Sequence, residues 1–290
     1  MFYFIFWVKM DTAVNSGFLV KSIGNLTGKL LVFGGVYSNL QALEQLKKIA
    51  SEWGIPPGNI ICTGDVVGYC AQPEACVEII KNWGIQVIAG NVEIQLRNGE
   101  EDCGCNFDEG SRCDLFSRKW YPYAQSQLSE ESIAWMKELP DHLQFTYADR
   151  KVYVLHGSFF NTSEFVFQST PWAVKQADFD ATGADIILGG HCGIPFKDQQ
   201  NDLFWLNAGV IGMPANDGTA RVWFMTLEEN SDGFIFQHHH FTYDNQQAAS
   251  LMELNKLPGE YSGTLRSGIW DNCDILPEVE TGRQGVALVF

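Results

Sequence analysis

Short apolar runs that end in glycine alternate with stretches of helical period through the first third of the chain. Residues 29–33 read as a buried strand that stops at Gly34-Gly35. Residues 39–53 follow with Leu40, Leu43, Leu46, Ile49 and Ala50 at helical spacing, and Gly54 ends that helix before Pro56-Pro57. Ile60-Ile61-Cys62 reads as a second strand closing on Gly64-Asp65, and residues 73–83 as a helix with Pro73 in its first turn. Residues 85–89 make a third strand, running into Gly90-Asn91. Strand, helix, strand, helix, strand with short links is the pattern of a layered α/β sheet.

The pattern breaks at residues 98–114, an acidic stretch holding Cys103, Cys105 and Cys113. Residues 115–128 and 129–139 then read as helices, with Ser129 as an N-cap. Residues 143–147 and 151–155 alternate around Asp149-Arg150 and predict a hairpin. Residues 171–179 read as a helix, and 185–188 as a strand entering Gly189-Gly190-His191. Residues 203–206, 221–226 and 233–239 predict strands, residues 245–254 a last helix, and residues from 258 onward irregular structure. This divides the chain into an N-terminal extension (1–28), a main domain (29–240, with an insertion at 98–140) and a C-terminal helix with tail (241–290).

Composition adds little to this and charge adds more. Of 290 residues, 46% are hydrophobic and 19% charged, ordinary for a globular domain. The net charge of −16 opposes a general nucleic-acid or anionic-membrane surface, since phosphates would be repelled. A bound cation would still attract phosphate locally. The apolar run at residues 2–8 is too short to span a bilayer and lacks the flanks of a signal peptide, and Met10 offers a second possible start. The chain is therefore expected in the cytoplasm, with its eight cysteines mostly reduced.

Four polar residues stand directly after expected strands: Asp65, Asn91, His156 and His191. Side chains at the carboxyl ends of neighbouring strands converge even when distant in sequence. A carboxylate, an amide oxygen and two imidazoles suit one divalent transition metal such as manganese, zinc or iron. Two other groups are weighed less heavily. His238-His239-His240 reads as a solvated strand end and His142 as a surface residue. Cys62, Cys70 and Cys76 read as small core residues.

In order along the chain, Gly64-Asp65-Val66-Val67-Gly68, Gly90-Asn91-Val92-Glu93, His156-Gly157-Ser158, Gly190-His191-Cys192-Gly193 and Asn207-Ala208-Gly209-Val210 resemble the motifs of the calcineurin-like metallophosphoesterases. The likeness is to the small bacterial and archaeal branch and spans roughly residues 30–225. It implies a four-layer α/β/β/α sandwich, here with a cysteine-containing insertion that caps the site. It implies metal-dependent hydrolysis of a phosphomonoester or phosphodiester, with a small phosphorylated substrate or nucleotide as partner. The family binds two metals. The positions resembling the private ligands of one site are Gly35, Tyr37 and Gly193, in place of the family's Asp and His side chains; Asp65, Asn91, His156 and His191 match those of the other. Val92 stands where the family carries a histidine near the leaving group. The expectation is therefore one retained metal, with Asn91, Glu93 and Tyr37 as candidate catalytic residues: Glu93 orienting a ligand, and Tyr37 donating to a phosphate oxygen or simply filling space. A third possibility is that thiolates of Cys103, Cys105, Cys113 or Cys192 supply an additional metal or redox site. The alternative function is a catalytically degenerate metal- or nucleotide-binding regulatory protein.

Overall fold

The computed structural model describes residues 17–105 and 107–290, so the apolar run at 2–8 and Met10 lie outside the described residues. In chain order the elements are β1 (Val20–Asn25), β2 (Leu30–Phe33), α1 (Leu40–Glu52), β3 (Ile60–Cys62), α2 (Pro73–Trp83), β4 (Gln86–Val87), α3 (Asn91–Asn98), α4 (Arg112–Gln127) and α5 (Glu130–Glu138). They continue with β5 (His142–Tyr147), β6 (Arg150–Val154), α6 (Trp172–Thr182), β7 (Ile186–Gly189), β8 (Phe196–Gln200), β9 (Leu203–Asn207), β10 (Val222–Asn230), β11 (Gly233–Phe241), α7 (Asn245–Leu254), α8 (Gly259–Ser267) and α9 (Glu278–Thr281).

Two sheets result, with strand orders β1-β5-β6-β7-β9-β8 and β11-β10-β2-β3-β4. Strand alternation sorts their side chains into layers. On β2 and β3, Leu30, Val32 and Ile61 face the other sheet, while Leu31, Phe33, Ile60 and Cys62 face the helices α1 and α2. On β6 and β7, Val152, Val154, Ile186 and Leu188 meet them in the middle, while Tyr153 and Ile187 pack outward with Phe179 of α6. Helices thus cover both outer faces of two packed sheets. Strands β2, β3 and β7 are buried on both faces, which explains their unbroken apolar runs. Helix α1 starts where Asn39 caps it: its Oδ1 accepts from Ala42 N, and its Nδ2 donates to the Gly212 carbonyl and the Tyr243 hydroxyl. Among the described residues, no helix is long and apolar enough to cross a membrane.

Several expectations are corrected. Residues 20–25, placed in an extension, form β1 and pair parallel with β5. Their half-exposed, Lys- and Ser-containing pattern hides an edge strand. The strand at residues 85–89 shrinks to β4, and Asn91 opens helix α3. Residues 259–267 are helical, not irregular: Ser262, Thr264 and Leu265 are buried, although Gly259 and Gly263 lower the intrinsic propensity. His142 is buried, wedged between the rings of Phe18, Tyr153 and Phe159, because it begins β5 under an aromatic cover. His238 is also buried. One of its ring nitrogens bonds the Asn207 carbonyl, and Phe290 stacks on it, so His238 departs from the expected solvated strand end while His240 remains exposed.

The segment 98–140 is bound into the molecule. Trp120, Tyr121, Ala124, Met136 and Leu139 enter the same core as Leu43 and Val77. Its loop and the first turn of α4, with Cys105, Phe107 and Cys113, reach the cleft described next.

Candidate metal centre

The loops after β3, β4, β6 and β7 bring Asp65, Asn91, His156 and His191 together. Asp65 and His191 both take left-handed backbone angles (φ 56° and 58°), a conformation that costs a non-glycine residue about 1–2 kcal/mol. The turn at Asp65 is held from both sides. Its carbonyl accepts from Val36 N and Tyr37 N, and its N–H donates to Glu93. Gly64 and Gly90 leave room for it: a Cβ on Gly90 would sit 2.1 Å from Asp65 Oδ1, and one on Gly64, itself at φ 97°, 2.6 Å from Gly90 N.

Single ligand atoms of Asp65, His156 and His191 lie within 4.8 Å of one another, and all three residues are buried. His156 Nδ1 is 2.6 Å from the Thr63 carbonyl, which can only accept, so Nδ1 carries the proton. Its Nε2 then faces Asp65 Oδ2 at 3.2 Å, Asn91 Oδ1 at 3.0 Å and His191 Nδ1 at 3.1 Å. The orientation of Asn91 is fixed by its own amide, which donates to the Cys103 carbonyl at 2.8 Å and to Cys105 Sγ at 3.3 Å. Lone pairs of four residues therefore converge. A proton on Nε2 would satisfy only one of the three facing atoms, whereas one divalent cation satisfies all of them. The donors fit a transition metal.

Electrostatics separate the two imidazoles. Burial, then the neighbouring His156, pushes His191 down to about 3, which keeps its lone pair free. Burial also pulls His156 down, but Asp65 and the Thr63 carbonyl outweigh it and leave its pKa above the ordinary value. Behind the ligands, Asn207 donates to the Gly190 carbonyl and to Cys192 Sγ while accepting from Gly209 N. That pins the turn carrying His191, and Phe165 stacks on the His191 ring at 4.2 Å.

Glu93 is not positioned to orient a ligand. Its carboxylate is fully buried and accepts from the backbone N–H groups of Asp65 (2.8 Å), Gly90 (2.9 Å) and Val67 (3.1 Å). It fastens the Asp65 turn to the start of α3. Burial, then Asp65, raises its pKa, opposed by those three donors.

The other half of the cleft is different. A Cβ on Gly35 would lie 2.4 Å from Tyr37 Cε1, so the tyrosine ring occupies the room a first-motif side chain would need. A Cβ on Gly193 would meet the ring of Trp270 at 3.5 Å. Thiols do not restore the missing ligands. Cys103 and Cys105 are joined as a disulfide, Cys113 Sγ bonds Asn272, and Cys192 Sγ bonds the Ile194 carbonyl and Asn207. Among the described residues no cysteine joins a group of potential ligands. Side chains from outside the motifs also line the cleft: Tyr69, Phe107, Phe165, Tyr261, Trp270 and Asp271. Tyr69 directly follows the motif at residues 64–68, and no role in the site is expected of it from the sequence. Tyr261 and Trp270 come from the stretch expected to be irregular, and nothing in the sequence pointed to them.

The fold and the site thus combine two packed sheets flanked by helices with a buried group of potential metal ligands at strand ends. The calcineurin-like phosphoesterase superfamily domain matches residues 29–230, and the chain belongs to that superfamily. An uncharacterized protein of Methanocaldococcus jannaschii is 24% identical over 246 residues, covering 79% of this chain and 93% of that one. Two solved structures share the fold. A metallophosphoesterase of Sphaerobacter thermophilus has a TM-score of 0.65 at 20% identity, covering 84% of this chain and 100% of its own. A hypothetical protein of Pyrococcus horikoshii has a TM-score of 0.68 at 20% identity, covering 83% and 99%.

Proposed function

We propose that this protein is a cytoplasmic phosphoesterase working with one divalent transition ion, manganese, zinc or iron, on a small phosphorylated substrate. The observation that carries the reading is the convergence of Asp65 Oδ2, Asn91 Oδ1 and His191 Nδ1 on the bare Nε2 of His156. These four residues would hold the ion. When bound, it supplies Lewis acidity toward a phosphoryl oxygen.

The protein's own groups set the rest. Thr63 fixes the His156 tautomer, Asn207 fixes the His191 turn and Glu93 fixes Asp65, so the ligands need little reorganisation. Phe165 stacks on the His191 ring and holds it in place. Val92 is buried where a leaving-group acid would stand, so the chain offers no proton donor there. Turnover should depend steeply on the leaving group, being measurable for nitrophenolate and poor for an alkoxide. The cleft has about 80 Å³ of water-accessible room, below the roughly 300 Å³ of ordinary small-molecule sites. A phosphate fits that volume, and a nucleotide exceeds it.

The same missing acid and missing second cation favour one other reading, a metal- and phosphate-binding regulatory protein without turnover. The experiment is hydrolysis of bis(p-nitrophenyl) phosphate by manganese-loaded protein, alongside the metal content of the same sample. Turnover that disappears in His156→Ala supports the enzyme. One bound ion with no hydrolysis of this or any aryl phosphate supports the regulatory protein.

A further inference from the structure

The cleft poses a charge problem. None of its lining residues is Lys or Arg, and two are carboxylates, Asp65 and Asp271. A phosphoryl group held there must find its remaining hydrogen bonds from neutral donors. Three phenols face that space. Tyr37, Tyr69 and Tyr261 line the same cleft as Asp65 and His191, with successive ring centroids 4.6 Å and 4.8 Å apart.

Four other tyrosine hydroxyls are engaged, Tyr121 with Glu100, Tyr123 with Ala71, Tyr147 with Gly28 and Tyr243 with Asn39, while Tyr153, outside the cleft, is also without a partner among the described residues. Tyr37, Tyr69 and Tyr261 have no hydroxyl partner among the described residues, and none of the three oxygens is sealed from the cleft. A phenol in an apolar wall ordinarily finds a partner. Tyr37 Cζ, which bears the hydroxyl, lies 2.5 Å from where a Gly35 Cβ would be. Its O–H therefore projects from the place the absent first-motif side chain would fill. A phenol ordinarily ionises only near pH ~10, so all three are donors at neutral pH.

We propose that the hydroxyls of Tyr37, Tyr69 and Tyr261 form a neutral three-donor cradle for the oxygens of a phosphoryl group held at the Asp65 centre. The proposal rests on the phosphoester reading above and narrows its substrate. One divalent ion beside the Asp65 carboxylate leaves at most a single positive charge, Asp271 being paired with Arg112, and phenols add none. The cradle therefore matches a singly charged phosphodiester better than a doubly charged monoester, whose surplus charge would be buried without a partner.

The test uses the full chain loaded with manganese, reading ³¹P relaxation of dimethyl phosphate and of methyl phosphate at pH 8. Dimethyl phosphate is expected to bind the more tightly. Tyr69→Phe and Tyr261→Phe, which keep their rings, are each expected to weaken it about tenfold, as loss of a hydrogen bond to a charged group does. Manganese content and melting temperature stay at wild type, and Tyr153→Phe, outside the cleft, changes nothing. Tyr37→Phe gives a third independent reading. Equal affinity in the cleft variants, a matching loss in Tyr153→Phe, or tighter binding of methyl phosphate overturns the cradle while leaving the phosphoester reading in place. A manganese-loaded wild type that relaxes neither ligand overturns both.

Discussion

The two sides of the cleft were built by opposite means. On one side, polar atoms converge and each has a supporting partner: Thr63 behind His156, Glu93 behind Asp65, Cys103 and Cys105 behind Asn91, Asn207 behind the His191 turn. On the other, Gly35 and Gly193 carry no donor, and the rings of Tyr37 and Trp270 stand against them. The rings of Tyr37, Tyr69, Tyr261 and Trp270 line that second side around the open cleft. One half of a cleft can thus hold a complete set of supported ligand atoms while the other offers only aromatic rings and neutral hydroxyls.

The comparison can be broken from either side. The largest effect is expected for His156→Ala, which removes the atom faced by the other three ligands. Metal affinity should fall by at least about a hundredfold in a calorimetric titration, since even supporting partners are worth tenfold to a hundredfold. Glu93→Gln comes next. One amide oxygen cannot serve three backbone donors, and its NH₂ would oppose one of them. Denaturant unfolding should show a loss of roughly 3 kcal/mol, and metal affinity should fall about tenfold.

A similar loss is expected from acid, away from the cleft. Burial lowers His142 from 6.5 to about 4, with Asp141 opposing. The folded ring stays neutral where the unfolded one is protonated, so stability is full above pH 6.5 and falls as pH drops from 6.5 to 4. The window is worth roughly 3 kcal/mol. His142→Leu should flatten the urea-midpoint profile between those values.

The smaller effects sharpen the packed side. Gly35→Ala drives a methyl into the Tyr37 ring and should cost about 1–3 kcal/mol. In Tyr37→Ala the same substitution should be nearly free. The two changes should therefore be non-additive in a double-mutant cycle, and additivity would mean that the ring does not fill the vacated place.

Much of this was legible beforehand, for physical reasons. Strands buried on both faces announce themselves as apolar runs, and glycine after each marks the turn on which a ligand sits, so Asp65, Asn91, His156 and His191 stood out. What the sequence hid depends on tertiary context. Strand β1 is an edge strand with polar residues, and α8 has glycines that argue against a helix. Glu93 lies one turn into α3, beside a motif that invites a catalytic role. Only the folded chain brings its carboxylate against three backbone donors. Tyr261 and Trp270 reach the cleft from a tail with no motif, and His142 is buried by rings distant in sequence.

The central claim is that one side of this cleft holds an ion and the other holds none. Counting metal in the purified full chain by elemental analysis, after saturation with manganese and removal of the excess, tests it most directly. The account predicts one ion per chain, lost in His156→Ala and unchanged in Tyr37→Phe. Two ions per chain, or none, would contradict it.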